Sequence, residues 1–130
     1  MHFAREDCDS ALMVRACDAE QVTVGAQRYT RSLILTPDRV LPDWRPRQVD
    51  ELTEQDIESL LSLQAEIILL GTGSRLCFPS AQLRACVLST GTGLEVMDTP
   101  AACRTYNILL SENRRVVAAL LLQAQSPTEA

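Results

Sequence analysis

Apolar and polar positions along this chain change rhythm near Thr53, and the two rhythms predict different elements. From Gln21, the residues Val-Thr-Val-Gly-Ala-Gln-Arg-Tyr-Thr-Arg-Ser-Leu-Ile-Leu alternate about Gly25. That alternation predicts two antiparallel strands about a turn, the second ended by Thr36-Pro37-Asp38. Arg39-Val-Leu predicts a short edge strand, followed by a loop from Pro42 to Pro46 that holds Trp44. The tryptophan reads as a lid on the core, with a contact anchor for a partner as the alternative.

Beyond Thr53 the spacing becomes helical, then switches repeatedly between short apolar runs and amphipathic segments. Thr53 is a predicted N-cap with Glu54 and Asp56 in the first turn, and Ile57, Leu60 and Leu61 form one buried face. Glu66-Ile-Ile-Leu-Leu, stopped by Gly71, is too short and too β-branched for a helix and predicts a buried strand. Ser80 opens a second helix with Leu83, Cys86 and Val87 inward and Gly91 past its end. Leu94–Met97 predicts the next strand. Thr99-Pro100 predicts a third helix, with threonine as N-cap and proline at the first helical position. Its inward face is Ala102, Thr105, Tyr106 and Leu109, with Asn113 as a left-handed ending. Val116–Leu122 predicts a final buried strand.

Strands alternating with helices imply an α/β domain with a mixed, mainly parallel sheet flanked by helices in three layers, preceded by an antiparallel strand pair. The organisation read from the chain is a loosely ordered arm over residues 1–20, one domain over 21–122 and a polar tail over 123–130. A chain of 130 residues suits one such domain and one continuous core. Its apolar content is 46% but only 4% aromatic, and aliphatic cores suit buried parallel strands.

Charge narrows the functions. Twelve cations against 17 anions leave a net charge of −5, and every cation is arginine. An acidic chain with no basic run is not expected to bind nucleic acid. The arginine bias reflects a GC-rich genome or surfaces that pair bidentately with carboxylates. The longest apolar run, Val116–Leu122, falls short of the ~20 residues of a membrane helix. The polar, acid-containing start is unlike a secretory signal or transit peptide, so a cytoplasmic location without membrane insertion is expected. Five scattered cysteines (8, 17, 77, 86 and 103) with no C-x-x-C pair imply reduced thiols. One histidine, His2, gives no metal cluster, so neither metal nor cofactor is implied.

Catalytic candidates are few. Gly71-Thr72-Gly73-Ser74-Arg75 follows a strand, where nucleotide folds place a phosphate cradle. The third glycine of a dinucleotide fingerprint is replaced by Leu76, and no lysine is present for a P-loop. The glycines then read as a tight turn. Cys103 falls in the first turn of the third helix, where the dipole lowers a thiol pKa, but it reads first as a small buried hydrophobe. Asp98 reads as assisting the cap. Glu112, Arg114 and Arg115 read as a solvated cluster. One constellation remains. Loops beyond neighbouring parallel strands line a common crevice, which would gather Gly71, Thr72, Gly73, Ser74, Arg75, Thr99 and Arg104 with free helix amides. That set is equipped to hold a carboxylate or phosphate; otherwise Thr99 only caps and the arginines are solvated.

The stretch from Leu94 to Leu109, continuing to Glu112-Asn-Arg-Arg-Val-Val-Ala-Ala-Leu, is distinctive. With Glu66-Ile-Ile-Leu-Leu-Gly-Thr-Gly and Trp44, it resembles a family of largely uncharacterised bacterial and archaeal proteins related to the mitochondrial assembly factor 3 of respiratory complex I, the Mth938-like domains. The most specific part is Met97, Thr99, Ala102, Thr105, Tyr106, Asn107 and, beyond it, Glu112. The resemblance implies a three-layer α/β fold and a non-enzymatic interaction or assembly role with protein partners, linked to respiratory complexes. The alternative is a small anionic-ligand binder or enzyme using the Gly71 and Thr99 loops.

Overall fold

The computed structural model describes residues 12–123; the expectations for residues 1–11 and 124–130 lie outside them. Within this span the chain builds two sheets and three helices. Strands β1 (Val14–Cys17), β2 (Val22–Val24) and β3 (Gln27–Tyr29) form a small antiparallel sheet in the order β1-β2-β3. Strands β4 (Leu33–Leu35), β5 (Val40–Leu41), β6 (Ile67–Gly71), β7 (Gly93–Met97) and β8 (Val116–Leu120) form a five-stranded sheet in the order β5-β4-β8-β6-β7. Pairings of β6 with β7 and β8 are parallel; those of β4 with β5 and β8 are antiparallel. The helices are α1 (Glu54–Leu61), α2 (Ala81–Leu88) and α3 (Thr99–Ser111).

Strict alternation in the central strands explains the layering. Leu33, Leu35, Leu69, Val116, Ala118 and Leu120 point to one face, where they meet Ala102, Cys103, Tyr106 and Leu110 of α3 and Val14, Val22 and Val24 of the small sheet. Ile34, Ile68, Leu70, Val117, Ala119 and Leu121 point to the other, against Ile57 and Leu60 of α1 and Val87 of α2. Because successive residues of a strand face opposite ways, runs apolar at every position, such as Val116–Leu122, must be covered on both sides. The three-layer α/β architecture with a mixed sheet is therefore the observed fold. Trp44 packs partly buried against the α1/α2 side of the core, as a lid does.

The helix signals are met at two of three starts. Thr53 accepts from the Asp56 amide while the Asp56 carboxylate accepts from the Thr53 amide, a reciprocal capping box. Ser80 accepts from the Leu83 amide. Gly91 and Asn113 both take positive φ beyond helix ends, 84° and 61°. The third start differs. Asp98, not Thr99, caps α3, its carboxylate accepting from the Ala101 amide at 2.8 Å.

Two further expectations are corrected and a third is extended. Val14–Cys17, inside the stretch read as an arm, is a strand paired with β2. The second strand of the predicted hairpin is two strands: β3 closes the turn at Gly25 (φ 60°), and the chain then leaves the small sheet to enter the large one as β4. The buried Ser32 fixes that passage, its hydroxyl accepting from the Leu122 amide and its carbonyl from the Trp44 amide. Lastly, Arg114 pairs with Glu66 at 2.9 Å, and Arg115 donates to the Gln64 and Leu63 carbonyls beyond α1. The solvated cluster expected at the end of α3, in which the Glu112 charge acts on Arg114, therefore extends to Glu66 and closes the N-terminal ends of β6 and β8.

Candidate functional site

At β6 and β7 the connections diverge, the first to α2 on one face and the second to α3 on the other. Open α/β sheets place ligands in the crevice such a divergence leaves. Here the crevice is laced shut. The Thr72 amide donates to the Met97 carbonyl and the Thr99 amide to the Gly73 carbonyl, both at 2.9 Å. The Thr99 hydroxyl, fully buried, accepts from the Gly73 amide and donates to the Leu121 carbonyl, each at 2.8 Å. The Thr72 hydroxyl donates to the Arg75 carbonyl at 2.6 Å. Thr99 thus ties the ends of β6 and β8 to the start of α3, a role no cap would give it.

The expected free amides of α3 are therefore engaged. Thr99 donates to Gly73, Pro100 has no N–H, and Ala101 and Ala102 donate to the Asp98 carboxylate and carbonyl. Gly71 is similarly committed to packing. A Cβ there would lie 3.0 Å from both Cα and Oγ1 of Thr99 and 3.1 Å from Cδ2 of Leu120. Gly71→Ala should lower stability by about 1–3 kcal/mol, checked by urea unfolding, because the nearest atom is backbone that cannot swing away. Gly73, at φ 97°, occupies a conformation that disfavours side chains.

Three members of the predicted set keep their side chains outside this lacing. Ser74 and Arg75 are exposed and line a hollow of 370 Å³ with Gln48, Asp50, Cys77 and Gln123. Arg104 is exposed on α3 and does not line that hollow; its charge bears on Cys17 and Cys103. Past Arg75 the loop turns apolar side chains outward: Leu76 is 54% and Phe78 57% exposed. The guanidinium of Arg84 in α2 sits 5.7 Å from the Phe78 ring centre, within cation–π range. Among the described residues no group of three or more His, Cys, Asp or Glu is placed to hold a metal ion. No helix among them is long and apolar enough to cross a membrane.

The motif residues of α3 act in packing. Ala102 and Tyr106 are fully buried, and the Tyr106 hydroxyl donates to the Thr36 carbonyl at 3.0 Å. Thr105 donates to the Met97 sulfur at 3.5 Å. Asn107 accepts from the Val14 amide at 2.9 Å and donates to the Val14 carbonyl at 2.8 Å. Its amide thus fastens β1 as a neighbouring strand would. Glu112 is the exposed C-cap.

The structure also unites a pair that lay unconnected in the sequence. Cys103 Sγ donates to Cys17 Sγ at 2.9 Å, where β1 crosses the start of α3. That donation lowers the Cys17 thiol below its ordinary pKa and Arg104 assists, against burial and the carboxylates of Asp18 and Asp98. Cys103 is raised, first by the same bond and then by burial. The helix dipole expected to lower Cys103 is overridden, because this sulfur is the buried donor of the pair. Spacing held no signal for a contact across 86 positions.

Comparison with known proteins places these features in context. A family model described as protein of unknown function (DUF498/DUF598) matches residues 14–121, which contain the motif of β7 and α3. The solution structure of XCC1710 from Xanthomonas campestris is 37% identical, with 97% of this chain and 96% of that one covered and a TM-score of 0.84. The "13 kDa major membrane protein" of Francisella tularensis is 30% identical over 90 residues, 68% of this chain and 72% of that protein. Human NADH dehydrogenase (ubiquinone) 1 alpha subcomplex assembly factor 3 is 28% identical over 119 residues, 90% of this chain. The match spans 64% of the human protein's length.

Proposed function

On the premise that this chain belongs to the DUF498/DUF598 family of proteins of unknown function, as its motif residues led us to expect, we propose that it acts by binding other polypeptides, as an interaction or assembly protein. The observation that carries the proposal is the loop following β6, which exposes Leu76 and Phe78 by more than half. Exposed large apolar side chains on an ordered loop, with a cation stacked on one, resemble the anchors of protein interfaces. The Thr72, Gly73 and Thr99 groups of the crevice are spent internally, which supports recognition by contact over chemistry. The finer form of the proposal is a role in assembling respiratory complexes, supported by the name of the human relative. Its proposed setting is the cytoplasm.

A second reading is favoured by the hollow beside Ser74 and Arg75: a small anionic ligand held by that arginine. One experiment separates the two. The tagged protein is recovered from its own host and its companions identified by mass spectrometry, beside a Leu76→Asp/Phe78→Asp double variant. Stoichiometric partners for the parent chain, reduced at least tenfold in a variant whose melting temperature is unchanged, is the expected result. Recovery of the chain alone, or equal recovery by both, would sink the interaction reading. A thermal-shift screen of carboxylates and phosphates against Arg75→Glu would then test the second.

A further inference from the structure

We propose that Cys17 and Cys103 form a reversible redox site, a dithiol that a hydroperoxide converts into a disulfide joining β1 to α3. Position carries the argument. The two sulfurs lie 2.9 Å apart, and a disulfide requires about 2.05 Å, so closure needs an approach of about an ångström. The surroundings of the two sulfurs divide the labour between them. Cys17 is partly exposed on a strand at the edge of the small sheet, within reach of a small oxidant. Cys103 is 2% exposed and held on the rigid first half of α3. Asp18, Asp98 and Arg104 are the charged groups that act on the pair. The arginine and the thiol proton offered by Cys103 favour Cys17 as the thiolate that reacts first. In contrast, Cys77 is exposed on its loop and Cys86 half-buried on α2, and neither has a sulfur partner among the described residues.

The chemistry balances with one peroxide. The Cys17 thiolate attacks a peroxide oxygen; the S–O bond forms, the O–O bond breaks, and the departing hydroxide takes up a proton as water. Cys17 is then a sulfenic acid. Cys103 gives up its proton and attacks the Cys17 sulfur; the S–S bond forms, the S–O bond breaks and a second water leaves. Two thiols have lost two electrons and two protons to one peroxide, yielding two waters. An external dithiol restores the pair by thiol–disulfide exchange.

The test uses the full chain, reduced, freed of reductant and treated with one equivalent of hydrogen peroxide. It is then alkylated in denaturant, digested and mapped by mass spectrometry. The expected product is a monomer two hydrogens lighter, with a Cys17–Cys103 linked peptide and alkylated Cys77. Dithiothreitol should reverse it. Because the bridge closes a loop spanning 86 positions, the oxidised form should melt higher by about 10 °C. In Cys103→Ala the reaction should stop at sulfenic acid on Cys17, captured by dimedone. Alkylation of both Cys17 and Cys103 after treatment would overturn the proposal, as would a bridge from Cys17 to Cys8 or Cys77.

Discussion

Replacing Tyr106 with alanine should lower the unfolding free energy by about 3–5 kcal/mol, the range for deleting a fully buried aromatic side chain. For a domain of this size that is a fall in melting temperature of roughly 10–20 °C. The residue has no exposed surface and is the largest side chain in the core between α3 and the sheet, packed among residues from the small sheet, β4, β6 and β8. Its ring leaves a cavity that strands paired on both sides cannot collapse to fill. Tyr106→Phe separates the two parts of its role. It keeps the ring and deprives the buried Thr36 carbonyl of the hydroxyl 3.0 Å away, which should cost about 1–2 kcal/mol. Equal losses for the two variants in urea unfolding would show that the hydrogen bond, and not the packing, dominates.

Thr99→Val is the second large effect, because valine matches the shape and removes both hydrogen bonds. The Gly73 amide and the Leu121 carbonyl would lose the shared hydroxyl in a site with no exposure. Each stranded group costs about 1–3 kcal/mol, so the two together should lose about 2–6 kcal/mol. Thr99→Ser restores the hydroxyl and should recover most of it, leaving about 1 kcal/mol for the missing methyl. Equilibrium unfolding of the three proteins decides the matter: a serine variant as weak as the valine variant would mean that packing of the methyl governs the site.

Why Thr99 was misread shows where sequence reasoning stops. Asp98-Thr99-Pro100 offers two adjacent side chains able to cap a helix, and local rules rank them almost equally. The choice is made by tertiary partners, the Gly73 amide and Leu121 carbonyl, brought to Thr99 by two other strands. The caps at Thr53 and Ser80 were legible because their bonds close within three residues. β6 and β8 were legible because an apolar run bounded by glycine or polar residues has few alternatives. The passage from β3 to β4 was not, since Thr30-Arg31-Ser32 holds no glycine or proline to mark where the chain changes sheets. The crevice could be located from topology, but the engagement of the Thr72, Gly73 and Thr99 amides depended on bonds between segments more than 20 residues apart. For the same reason Asn107 at Val14 and Cys103 at Cys17 were invisible: both join the first described strand to the last helix. Family resemblance marked Asn107 as a residue to test without saying what it holds.

The order of the large sheet has a consequence for how the protein is made. β8 is the last strand among the described residues and the middle strand of the sheet, flanked by β4 and β6. As the polypeptide emerges during synthesis, the β4–β5 hairpin and the β6–β7 pair exist before anything can join them. Each carries an unsatisfied apolar edge until Val116–Leu120 arrives. The large sheet must therefore wait for residues 116–120 before it can close, and the rate is set by closing long loops more than by local structure. A ribosome stalled before residue 116 would present two sticky half-sheets, the kind of species that chaperones recognise.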